Sequence, residues 1–138
     1  MRRIITATTA LLGLSLFALL TPTPASAAST VDVTSATLVA RGVAVDITLT
    51  VTCDPGLSGA TELIVRQRSG DRVAYAGGWA PLDSCTGEPQ TVTGRAWVEG
   101  GGLALNPGVA LVSGGFELCG QDVCDYPRFE QTVRITRK

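Results

Sequence analysis

The chain has no histidine among its 138 residues. That absence excludes a Ser-His-Asp or Cys-His nucleophile and any metal site that depends on imidazole. Positive charge is not in excess either: 11 Lys and Arg stand against 12 Asp and Glu, a net charge of −1. Nucleic acid and anionic lipid are therefore not expected partners, since neither would find a basic patch. No two cysteines have C-x-x-C spacing, which argues against a dithiol redox pair or a zinc site. Gly100-Gly101-Gly102 is followed by neither a lysine nor a helical pattern, and a phosphate-cradling loop needs both. It reads as a hairpin turn. No amphipathic helix, low-complexity tract or interdomain linker follows residue 30.

What is present begins with an export signal. Arg2 and Arg3 precede Ile4 to Leu20, an apolar run without a charge, and Thr21-Pro22-Thr23-Pro24 ends any helix there. Ala25-Ser26-Ala27 supplies the small residues of a cleavage site, so cleavage is expected after Ala27 or Ala28. The alternative is an uncleaved anchor, but Ile4 to Leu20 is at the short limit for a bilayer span. Ile4-Ile5-Thr6 departs from a twin-arginine signal, and the general pathway fits better. Residues 1–27 are thus read as a signal peptide and 28–138 as one domain. Losing Arg2 and Arg3 leaves 9 basic and 12 acidic residues, a net charge of −3. No cysteine follows the apolar run to take a lipid, and the C-terminus carries no sorting motif. The expected location is extracellular, with no membrane attachment after cleavage.

Period-two alternation dominates the rest. Val43, Val45, Ile47, Leu49, Val51 and Cys53 fall on one face of a strand, with Ala44, Asp46, Thr48, Thr50 and Thr52 on the other. Six more strands follow the same logic: Asp32 to Ala40, Thr61 to Arg68, Arg72 to Trp79, Gln90 to Glu99, Gly108 to Leu118 and Phe129 to Thr136. Turn signals such as Asp54-Pro55-Gly56 and Ser69-Gly70-Asp71 separate them. Gly114-Gly115 suggests a bulge. About seven short strands without a helix point to an all-β, immunoglobulin-like antiparallel β-sandwich with two disulfides. A small closed barrel is the second choice, and strand order is not legible.

Four cysteines in an exported chain are expected to form structural disulfides. The favoured pairing is Cys53–Cys85 with Cys119–Cys124. The first pair would join two strand ends, and the second would close a short loop. The rival pairs Cys53 with Cys119, as antibody domains do, but the tryptophan those domains carry on the third strand is absent from Thr61 to Arg68.

Several motifs carry a resemblance. Cys53 ends the second strand; Gln67-Arg68-Ser69-Gly70-Asp71-Arg72-Val73-Ala74 forms a hairpin; Cys85-Thr86-Gly87-Glu88-Pro89-Gln90-Thr91-Val92 follows. Pro107-Gly108 precedes the sixth strand, and the close pair Cys119 and Cys124 precedes the last. In these the chain resembles a group of uncharacterised secreted actinobacterial proteins over most of residues 28–138. The resemblance implies a sandwich and no particular activity. The chain is more weakly similar to chromoprotein apoproteins of the neocarzinostatin type, exported sandwiches with two disulfides, one of them a tight loop. Their other disulfide closes a much shorter loop than Cys53–Cys85, so no binding residues are carried over.

Candidate sites are few. Asp122 and Asp125, or Asp54 and Asp83, are too sparse for a calcium site and read as solvated turn residues, so no metal is expected. The twelve acids are scattered along the chain, with no long loop to build a glycosidase cleft. No cofactor is implied, and the chain is not expected to be an enzyme. The aromatic residues are the candidates for binding. Tyr75 and Trp79 share parity on one strand, and Trp97 lies on the polar face of another with Thr91, Thr93 and Arg95. The alternative places Trp97 at a sheet edge or under the 100–106 loop. The expected role is a secreted, non-catalytic module that binds a protein, glycan or small ligand, or serves as a structural surface component. The rival is a small inhibitor or hydrolase acting through a braced loop, Asp54 to Gly59 or 120–123.

Overall fold

The computed structural model describes residues 28–138, and the expected leader lies outside the described residues. The strands are β1 (Thr30–Val39), β2 (Ala44–Thr52), β3 (Ser58–Ser69), β4 (Arg72–Leu82), β5 (Gln90–Val98), β6 (Gly108–Cys119), β7 (Cys124–Asp125) and β8 (Arg128–Arg137). All seven expected strands form. β7 and β8 are one arm of a hairpin with β6, because Cys119↔Cys124, Leu118↔Asp125 and Gly115↔Arg128 keep a single register across Tyr126-Pro127. The Phe116 N–H donates to the Pro127 carbonyl at 3.0 Å and carries the ladder over that interruption.

The sandwich expectation is overturned. The strands run in the order β3-β4-β5-β2-β1-β8-β6, and β6 pairs back onto β3 from Ser58↔Cys119 to Arg66↔Leu111. The result is a closed seven-strand β-barrel. Closure also needs β1 and β8 to run parallel, and they meet over only three pairs, Ala36↔Ile135, Thr37↔Thr136 and Leu38↔Arg137. Alternation along a strand specifies one buried face, and sandwiches and barrels both provide one. Which strands meet is settled by contacts far apart in the chain.

The core is mainly aliphatic, with Phe116 and Phe129 its aromatic members. Ile47, Leu49, Leu63, Val65, Val112, Phe116 and Leu118 are fully buried, each contributing about 1.5–3 kcal/mol of burial free energy. The barrel ends are plugged by loop residues. Leu57 closes one end, where Cys85 N–H donates to its carbonyl at 2.6 Å. Leu105 closes the other, its N–H donating to the Gly42 carbonyl at 2.9 Å.

Two local expectations change. Val43 is 48 % exposed while Ala44 is buried, because Val43 has αR backbone angles (φ −75°, ψ −20°) and the alternation starts one residue later. No bulge occurs at Gly114-Gly115, where both ladders keep register. A Cβ on Gly114 would overlap the Glu62 carbonyl and approach the Phe129 ring within 2.8 Å, so the glycine admits an aromatic ring. The register shift lies instead in β1, between Val33 and Ser35.

All four cysteines are paired as favoured: Cys53–Cys85 with Cα atoms 5.6 Å apart, and Cys119–Cys124 at 4.1 Å. Both bridges sit at the Leu57 end, where Gly120 packs against that leucine. Such bonds persist in oxidising surroundings, as found outside the cell. Among the described residues, no helix is long and apolar enough to cross a membrane.

Candidate functional site

Strand β4 reverses the usual distribution of size. Between Arg72 and Pro81 its inward residues are Ala74, Ala76, Gly78 and Ala80, with Leu82 the one large inward side chain at its end, while Tyr75 and Trp79 point out. Space inside explains the small residues. A Cβ at Gly78 would overlap the backbone of Arg95 and Ala96, and one at Gly94 on β5 would approach Leu63 and Ala80 within 2.6 Å. The large rings of β4 therefore have only the solvent side available. Trp79 is 66 % exposed.

Trp97 on β5 joins them from the adjacent strand and is 50 % exposed. It pairs with Ala44 on β2 and Gly77 on β4, so it is flanked on both sides and does not lie at a sheet edge. Both cross-strand neighbours are small, which leaves room for the indole over the sheet. Ala44 is fully buried yet lies outside the hydrophobic core, as expected of a residue covered from outside. Tyr75 borders the same bare backbone, its Cε1 lying 3.8 Å from where a Gly77 Cβ would be. All three aromatic candidates thus share one outer face of β4 and β5, around Gly77.

Charged groups are interleaved with the rings. Arg95 Nε donates to Asp46 Oδ1 at 2.5 Å and Nη2 to Oδ2 at 2.9 Å, a two-pronged contact across β5 and β2. Its guanidinium lies 5.6 Å from the centre of the Trp97 ring, within cation–π range. The Arg95 hydrogen bond holds the Asp46 carboxyl below the usual carboxylate range, against the opposing effect of burial. Register places Glu62 and Arg95 on either side of Trp79, and Arg66 opposite Tyr75.

Beyond β3 the outer surface dips into an open trough of about 620 Å³, lined by Ile64, Gly115, Tyr126 and Arg128 among others. Glu62 lines it too, so the trough adjoins the aromatic face.

The loops proposed for the inhibitor reading are short or buried. Asp54 to Gly59 turns inward at Leu57, and its Gly56 N–H donates to the Cys85 carbonyl at 3.0 Å. In the 120–123 loop, Gly120 N–H donates to the Val123 carbonyl at 2.8 Å, leaving Gln121 and Asp122 at the tip. Asp125 accepts hydrogen bonds from the backbone N–H groups of Tyr126 at 2.8 Å and Ser29 at 3.4 Å.

Two glutamines from the resemblance motifs have structural roles that sequence reasoning missed. Gln67, 5 % exposed, bonds the backbone of Asn106 and Val109. Gln90 accepts from Thr86 N–H at 2.9 Å and donates to the Ser84 carbonyl at 2.8 Å, closing the loop after Cys85. A glutamine at strand parity signals neither role without its loop partner. No family model, curated protein or solved structure matches this chain.

Proposed function

We propose that the barrel is a secreted, non-catalytic binding module whose ligand surface is the outer β4–β5 face carrying Tyr75, Trp79 and Trp97. The observation that carries this reading is the placement of both tryptophans of the chain, exposed by 66 % and 50 %, around one glycine. Aromatic rings supply large contact area at small ordering cost, and buried tryptophans dominate binding surfaces. Here the paired strands beneath fix the backbone positions from which the rings project. The inhibitor alternative is weaker, since the 120–123 loop is only a short turn between bridged cysteines and the Asp54 to Gly59 segment is tied inward through Leu57. Intrinsic fluorescence tests the reading directly, because every tryptophan reports from the proposed site. Ligand added to residues 28–138 shifts the emission to shorter wavelength and protects it from acrylamide. An emission that stays readily quenched in the presence of any captured partner refutes the assignment.

A further inference from the structure

Resting on that reading of the β4–β5 face, we infer that its ligand is a neutral glycan chain. Sugar rings stack on Trp79 and Trp97, and their hydroxyls bond to the Arg95–Asp46 pair and Glu62.

The arrangement of charge separates a glycan from a protein partner. Along one row the outer residues run Asp46, Arg95, Trp79, Glu62 across β2, β5, β4 and β3. Protein interfaces are depleted of Asp and Glu at their centres, and here two carboxylates, Glu62 and Asp46, stand in the row that carries the exposed indole. A pyranose presents apolar C–H faces ringed by hydroxyls, and it needs this alternation of ring and polar group. The two-pronged contact uses only Nε and one hydrogen of Nη2, so Arg95 keeps further donors for a hydroxyl.

The other occupants fit less well. A peptide adding as a strand would need a free edge, but here β4 and β5 pair with each other from Ala76↔Val98 to Trp79↔Arg95. A small apolar ligand needs a pocket that encloses most of its surface, whereas these rings stand on the outside of a barrel. A polyanion needs net positive charge, and Asp46 and Glu62 balance Arg95 and Arg66 on this face.

The test uses residues 28–138 with both disulfides intact. Retention is measured on insoluble cellulose and chitin and by electrophoresis through gels containing xylan or mannan, with alginate as the polyanion. At least one neutral polysaccharide should retain the protein. Trp79→Ala and Trp97→Ala should each weaken that retention tenfold or more with the melting temperature nearly unchanged, Arg95→Ala should weaken it, and Trp97→Phe should preserve most of it. No retention by any of the four neutral polysaccharides, retention by alginate alone, or retention indifferent to both tryptophans overturns the glycan assignment. If the glycans fail but the alanine variants lose capture of a protein from culture medium, the binding face stands and its ligand is a protein. If those variants alter neither measurement, the face itself is refuted.

Discussion

The side chain of Gln67 and the backbone of Asn106 bond to each other reciprocally. The Gln67 carbonyl accepts the Asn106 N–H and its amide donates to the Asn106 carbonyl, both at 2.8 Å and across 39 positions of sequence. A side-chain amide thus replaces a backbone partner and holds the loop between β5 and β6 against β3. Gln67→Leu removes these part-buried bonds and leaves the Asn106 backbone to solvent, so it should cost about 1–2 kcal/mol in denaturant unfolding. Outer-face ligand retention should be unaffected in the folded fraction.

Gly42 should tolerate no side chain. Its φ is +88°, and an added Cβ would overlap the Leu105 carbonyl, which belongs to backbone and cannot swing away. Gly42→Ala should cost more than the roughly 1 kcal/mol of an ordinary left-handed glycine. Thermal unfolding of the variant measures it, with Gly100→Ala, which meets nothing nearby, as control.

The two bridges should differ in worth. Cys53–Cys85 spans 32 positions and Cys119–Cys124 spans 5. By loop-closure entropy, double serine variants should lose about 4 and about 2 kcal/mol respectively. Equal losses in chemical denaturation would show that native-state packing around Leu57 outweighs the chain-entropy effect.

Acid should release the Arg95–Asp46 pair. A carboxyl held low in the folded state adds stability that is full above its unfolded pKa of about 3.9 and is lost as pH falls through the lower folded value. Asp46→Asn should therefore flatten the decline of melting temperature below pH 4. It should also change tryptophan emission at neutral pH, since Arg95 lies over Trp97.

Trp97→Ala and Phe116→Ala should separate face from core. Phe116 is 1 % exposed and its loss should cost about 3–5 kcal/mol. Trp97 is half exposed on the outside of the barrel, so its loss should cost well below that, about 1 kcal/mol. Comparable losses in calorimetry would place the Trp97 indole among the structural residues.

Strand positions, inward residues such as Val92, Ala96, Phe129 and Ile135, and the outward parity of Trp97 were all legible from alternation. So was the favoured cysteine pairing, although Cys85 lies in the loop between β4 and β5 and not at a strand end. Alternation failed where the backbone left the extended region, at Val43, and where small residues face inward, on β4. There Ala74, Ala76 and Ala80 leave hydrophobicity no means of telling inside from outside. The plugs Leu57 and Leu105 sit in loops, which have no period to reveal them.

An all-β domain, its strands and the core-facing side of most of them are therefore encoded locally, because a two-residue period is local. Closure into a barrel comes from long-range pairing, through three parallel pairs between β1 and β8 and the return of β6 to β3. Long-range pairing also set Trp97 beside Gly77 and Arg95 beside Trp79. These contacts join segments far apart in the chain, and no local pattern encodes which distant strand will be the neighbour.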